Sequence, residues 1–348
     1  MSWYNTTGTC ATHVLFSKVR YIRNISKQSF LDLADPKKCS ETFARLESIL
    51  QKNGFRSEKL SSGVSPSIIA LAEKQFIERD LIYTDKPRAI FLNEPCNLLV
   101  ALGGENYVTI SSIVSGLAID EAKNMASGAE TLIDREISFA YSDSIGYLSP
   151  TPSDCGSGLS LSAALFLPSI RISGSFEHFA AISPLSMTIR PMFADKNCPG
   201  DLYILSYTPH YLCDEDSAVS LFKNTVAHIV EKEKHLLMSL YSNEFDELLN
   251  KAHRALGVLL YSDTLSEFEM LDLISSIRLC ICTSEGTIDS LPELSALNYL
   301  VGEGLNCSVI VSSKEKCETQ ASCDRARAKL VSSYIEHKNK EVILSNGK

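Results

Sequence analysis

An α+β fold in two parts is what the sequence predicts. Segments with strand character lie before residue 214, while beyond it the apolar residues recur at the spacing of one helix face. No internal repeat and no low-complexity linker separates the two parts, so they are expected to pack closely. The division is a domain over 11–240 and an all-helical C-terminal domain over 241–340.

In chain order, 12–20 reads as an extended run, and 41–52 and 66–80 as amphipathic helices. Residues 88–92 and 97–102 are strand-like and are split by Asn93, Glu94 and Pro95, which favour a turn. A third strand is expected over 107–114 and a long helix over 118–137. The stretch 149–158, rich in Ser, Pro, Thr, Asp and Gly, is loop-forming and leads into an apolar run, 159–167, that fits either a buried strand or a helix. Strands are expected over 187–190 and 202–206. Helices follow over 214–240, 243–260, 266–279, 291–300 and 321–337, several opening on a Ser or Asp suited to capping the first free N–H groups.

With 348 residues, 45% apolar and 22% charged, the chain is long enough for one large core or two ordinary ones. A formal net charge of −9 argues against a sequence-independent grip on nucleic acid. No apolar run reaches the roughly 18 to 20 residues that span a bilayer, and residues 1–10 lack the basic-then-apolar pattern of a secretion signal. A cytoplasmic protein with no membrane partner is therefore expected. Eleven cysteines, an odd number, read as reduced thiols. Cys280 and Cys282 have the wrong separation for a zinc knuckle and no second pair lies near them, so no metal site is expected.

The stretch with chemical content runs from Asp143 to Ser160. Its Gly156-Ser157-Gly158 lets backbone pass close to a ligand, and free N–H groups there suit an anion, although the same pattern also marks an ordinary turn. The order Gly146-Tyr147-Leu148, Pro152, Gly156, Gly158-Leu159 and Leu167-Pro168 resembles the segment Gly-Tyr-Leu-Thr-x-Cys-Pro-x-Asn-x-Gly-Thr-Gly-Leu-Arg, ending in His-Leu-Pro, of the phosphagen (ATP:guanido) kinases. Among them the bacterial protein-arginine kinases are most similar. Ser17-Lys18-Val19-Arg20-Tyr21-Ile22-Arg23-Asn24 resembles the family's Ser-Arg-Ile-Arg-Leu-Ala-Arg-Asn, and Leu202-Tyr203-Ile204-Leu205-Ser206 its strand Leu-Tyr-Gln-Ile-Ser-Asn. Asp324, Arg327 and Ala328 fit an Arg-Asp-x-x-Arg-Ala motif, so the resemblance covers nearly the whole chain.

This resemblance implies a phosphagen-kinase-like catalytic domain, with a largely antiparallel sheet flanked by helices, followed by the helical domain. It implies transfer of the ATP γ-phosphate to a protein arginine with Mg²⁺ as cofactor. Such a reaction asks the protein mainly to hold donor and acceptor in line and to neutralise spreading negative charge. In the resemblance Ser17, Lys18, Val19, Arg20, Tyr21, Arg23, Gly156, Ser157 and Gly158 bind the nucleotide. Glu105 is a catalytic carboxylate that orients the acceptor, Asp195 stands near the second, and Arg327 contacts phosphoarginine. The implied partners are ATP, a protein substrate or partner protein, a second copy in a homodimer, or an McsA-like activator.

The sequence also departs from the pattern. Tyr107 and Thr109 stand where the family has a histidine and a phosphate-clamping arginine, Ser160 replaces the arginine after the glycine loop, and Thr151 and Asp154 replace its Cys and Asn. The second glutamate falls near Ala194, with Asp195 alongside. Each charge-assisted bond contributes about 1.5 to 3 kcal/mol, so the losses predict weak or absent kinase activity. A catalytically silent relative that binds a partner protein or phosphoarginine is the alternative. A two-residue period puts Arg20 and Arg23 on opposite faces of a strand, so at least one is expected past its end.

Overall fold

The computed structural model describes residues 2–58, 64–78, 81–82, 88–173, 187–193, 198–241, 243–284, 288–313 and 317–346. Its centre is an eight-stranded sheet in the order β2-β3-β4-β5-β1-β8-β10-β9, antiparallel throughout. The strands are β1 (Val14–Arg23), β2 (Arg56–Glu58), β3 (Ala89–Leu92), β4 (Leu98–Gly103), β5 (Asn106–Ser115), β8 (Leu159–Phe166), β9 (Met187–Pro191) and β10 (Leu202–Tyr207). A small hairpin of β6 (Tyr141–Ser142) and β7 (Gly146–Tyr147) stands beside it. The apolar run at 159–167 forms a strand: β1 and β10 take up the hydrogen bonds of its two edges, and Leu161, Ala163 and Leu165 enter the core on one face while Ala164 and Phe166 enter the core on the other.

The helices are α1 (Pro36–Lys52), α2 (Pro66–Glu73), α3 (Ile119–Asp134), α4 (Pro168–Ser173), α5 (Glu215–Tyr241), α6 (Phe245–Tyr261), α7 (Glu267–Thr283), α8 (Leu294–Glu303), α9 (Asn306–Ser312) and α10 (Gln320–Asn346). Asp35 caps α1 by accepting from Lys37 N, which starts that helix earlier than its apolar spacing alone suggests. Conversely, α2 is shorter than the expected 66–80. Its chain turns back at Gln75, which has φ +64°, and Phe76 N donates to Leu71 O.

Each face of the sheet has its own core. On the first face Val19, Val100, Ile110 and Leu161 pack with Leu46 of α1, Ala126 of α3 and Phe222 of α5. On the second, Phe16, Ile113, Ala164 and Ile204 pack with Leu248 of α6, Ile274 of α7, Leu297 of α8 and Val331 of α10. The C-terminal helices therefore cover one end of the second face, while α2 and the segment after it, through Ile68, Phe76 and Ile77, approach the rest. None of the eleven cysteines is joined in a disulfide. No single helix among the described residues is long and apolar enough to cross a membrane.

Candidate functional site

Strand register assembles a polar strip on the second face. Leu99, Ser111, Arg20 and Ser160 form one row across β4, β5, β1 and β8. The adjacent row runs Ile113, Lys18, Ser162, Ser206 and Thr188. Arg20 thus has a hydroxyl on either side, and Ser162 and Ser206 hydrogen-bond at 3.2 Å. A cleft of about 130 Å³ opens on Arg20 and Ser111 of this strip and is lined further by Phe76, Ile77, Glu78, Thr109, Glu105 and Asp154.

The chain reversal after α2 positions Glu78. Buried Phe76 and Ile77 anchor that segment in the second core and hang the carboxylate over β1. Lys18 Nζ donates to Glu78 Oε1 and to Gln75 O, both at 2.8 Å, and Arg20 Nη1 lies 3.7 Å from the same carboxylate oxygen. The nearby Lys18 ammonium, helped by Arg20 and Arg190, overcomes burial and holds the Glu78 carboxyl down at about 2. Burial in turn lowers the pKa of Lys18, and Glu78 opposes that shift. The Nε of Arg20 is buried and has no hydrogen-bond partner among the described residues.

Glu105 sits at the tip of the β4–β5 hairpin, where Gly103 and Gly104 take φ +96° and +88°. It is exposed and accepts from Thr151 Oγ1 at 3.4 Å, which ties the hairpin to the glycine-containing loop. Asp154 reaches the same cleft from that loop. Among the cleft-lining residues, one arginine therefore faces three carboxylates, Glu78, Glu105 and Asp154. Thr109, at the expected arginine position, also lines the cleft and contributes only a hydroxyl.

Other expected site residues are placed elsewhere. Ser17, Val19, Tyr21 and Arg23 point to the first face. Ser17 Oγ donates to Gly116 O and accepts from Ala118 N, and Tyr21 donates to Glu215. Arg23 is not past the end of the strand but is its last residue, and it is buried. Its guanidinium binds Glu130 at 2.6 Å, donates to the carbonyls of Ile22 and Ser157, and stacks 3.5 Å from the Tyr147 ring centroid. These contacts use it as a structural clamp, which corrects the expectation of phosphate contact.

The glycine loop also makes close contacts within the chain. A Cβ on Gly158 (φ +60°) would lie 2.6 Å from Arg23 Nη1, and one on Gly156 (φ +101°) 2.5 Å from Tyr211 Cα. Both glycines are required by contacts within the chain, and the Ser157 carbonyl is engaged by Arg23. Arg327 is wholly buried and donates to Gly304 O, Leu265 O, Asp324 and Asn306, so it fastens α10 to the neighbouring turns and has no open face for phosphoarginine. Asp195 lies outside the described residues.

Glu78 is the site residue that sequence reasoning missed. As part of a helix over 66–80 it reads as one more solvated acid, and only the reversal at Gln75 brings it to Lys18. Among the described residues, no group of three or more His, Cys, Asp or Glu side chains is arranged to hold a metal ion.

Comparison with known proteins agrees with this architecture. Residues 37–236 match the family model for the ATP:guanido phosphotransferase C-terminal catalytic domain. A protein-arginine kinase of Syntrophomonas wolfei is 26% identical over 313 residues, covering 86% of each chain. One from Clostridium novyi is 25% identical over 334 residues, covering 94% of this chain and 96% of that one. Among solved structures, the duplicated taurocyamine kinase of Schistosoma mansoni aligns with a TM-score of 0.57 and 18% identity, over 74% of this chain and 39% of its own length. A lombricine kinase aligns with a TM-score of 0.54 and 17% identity, over 67% of this chain and 69% of its own. With over half of its length inside the family model and a fold similar to that of these kinases, the chain belongs to the ATP:guanido phosphotransferase family as a divergent member.

Proposed function

We propose that this chain is a catalytically silent relative of the protein-arginine kinases, which uses its cleft to engage a cationic, arginine-bearing segment of a partner protein. The observation that carries this reading is the charge lining the cleft: one arginine and three carboxylates, Glu78, Glu105 and Asp154, while the cations outside the lining, Lys18 and Arg190, act on Glu78. A guanidinium presents planar N–H donors to carboxylates, and the exposed Glu105 and half-buried Asp154 line the cleft as acceptors.

The residues present do not fit a bound Mg-ATP in this arrangement. Pockets for ligands of that size usually enclose about 300 to 1,000 Å³, whereas this cleft holds about 130 Å³. Two positions where the family places arginines are the hydroxyl residues Thr109 and Ser160. Removing a charge-assisted bond costs about 1.5 to 3 kcal/mol, and neither hydroxyl replaces a cation against a developing negative charge.

The test is incubation of the purified protein with Mg-ATP and an unfolded arginine-rich protein, followed by mass spectrometry for acid-labile phosphate. No labelling is expected. Labelling that disappears in Glu105→Ala would overturn the silent reading and establish protein-arginine kinase activity.

A further inference from the structure

Glu78 stands where the anionic group of a ligand would meet Lys18 and Arg20. Its carboxylate satisfies Lys18 at 2.8 Å, but it attracts Arg20 only across 3.7 Å, and the buried Nε of Arg20 stays unpartnered among the described residues. An arginine with an unused donor beside an internal carboxylate has capacity for a second, better-placed anion.

The segment that carries Glu78 is itself pinned. Trp3 Nε1 donates to Lys74 O at 3.1 Å, Lys74 Nζ pairs with Glu303 of α8 at 2.8 Å, and Cys307 N of α9 donates to Glu73 at 3.3 Å. Phe76 and Ile77 are buried directly ahead of Glu78. Helices of the C-terminal part thus hold the carboxylate over the basic pair, so its position depends on contacts far from the cleft in sequence.

We infer that Glu78 is a built-in competitor for polyphosphate: it occupies the Lys18–Arg20 pair, and the phosphates of a nucleotide reach that pair only when the segment carrying Glu78 is displaced. The inference rests on reading this cleft as the one that serves phosphotransfer in the family. It deepens the silent reading by supplying an intramolecular cause for nucleotide exclusion, in addition to the missing arginines. Since the segment is fastened to α8 and α9, whatever loosens those contacts also unmasks the basic pair.

Calorimetric titration of the full chain with inorganic tripolyphosphate, and separately with ADP, tests it. Glu78→Gln keeps the shape and removes the charge, and should bind tripolyphosphate at least tenfold more tightly than wild type. Lys18→Gln combined with Glu78→Gln should lose that gain. Lys74→Ala, which releases the pin to Glu303 and leaves Glu78 intact, should also tighten binding and serves if Glu78→Gln does not fold. Equal, measurable affinity in wild type and Glu78→Gln, or in wild type and Lys74→Ala, overturns the inference while leaving the phosphate site in place. No binding to any variant at millimolar tripolyphosphate overturns both the inference and the reading of the cleft. Kinase activity of the wild type removes the silent reading alone, because the affinity ratio is measured independently of turnover.

Discussion

Arg20 and Arg23 lie on one strand, three residues apart, and the two faces of the sheet put them to opposite uses. On the first face Arg23 is buried, paired with Glu130, and bound to two carbonyls and an aromatic ring. On the second, Arg20 lines the cleft and, among the described residues, has no partner at Nε and an ionic contact with Glu78 at 3.7 Å. A charged residue in a motif therefore takes its role from the face it points to. Where a guanidinium is fully bonded it holds the fold, and where it is not it remains available for a ligand.

The largest expected effect comes from breaking the first face. Arg23→Ala leaves Glu130 uncompensated and two carbonyls without their donor, and should cost about 3 to 5 kcal/mol in urea unfolding. A loss under 1 kcal/mol would mean that Arg23 does not clamp the sheet. Gly158→Ala attacks the same clamp from the loop. Its positive φ and the close approach to Arg23 predict a loss of about 2 to 3 kcal/mol, and a variant as stable as wild type would contradict the packing role of that glycine.

A third prediction concerns Glu233, which accepts from Ser169 N and Ser169 Oγ in a fully buried site. Burial raises its pKa to about 7. A carboxyl whose pKa is higher folded than unfolded contributes most below the unfolded value, and that contribution is lost as pH rises toward 7. Glu233→Gln should raise stability at pH 7.5 by on the order of 2 kcal/mol and flatten the fall in melting temperature between pH 5 and 7.5. An unchanged pH profile would show that this carboxyl does not set it. The smallest effect belongs to the cleft: Arg20→Ala should change unfolding free energy by less than about 1 kcal/mol, while weakening tripolyphosphate binding in the Glu78→Gln background.

Much of the architecture was legible because its signals are local. Strand and helix periods marked nearly every major element, and Gly146, Gly156, Gly158 and Leu167-Pro168 carried the family pattern. Short pieces such as β2, the β6–β7 hairpin and α9 were missed, since two to seven residues hold too little periodicity to register. At the site, Glu105 and Arg20, which the resemblance implies in catalysis and nucleotide binding, line one cleft, and so does Asp154, which stands in place of the family's Asn. The contacts that Arg23, the loop glycines and Arg327 make within the fold were not legible, because motif matching records which residue is present and not what it touches.

By itself, then, the sequence determined most of the long strands and helices, the family, and the presence of Thr109 and Ser160 where the family pattern has arginines. Tertiary structure decided which arginine faces the cleft and which carboxylate neutralises it. The physical reason is range: an alternating strand places Arg20 and Arg23 on opposite faces from local geometry alone, whereas Lys18 meets Glu78 across 60 positions and Arg23 meets Glu130 across 107. No local pattern encodes such pairs, and they decide here whether a basic residue stays open to a phosphate or is closed by the protein's own acid.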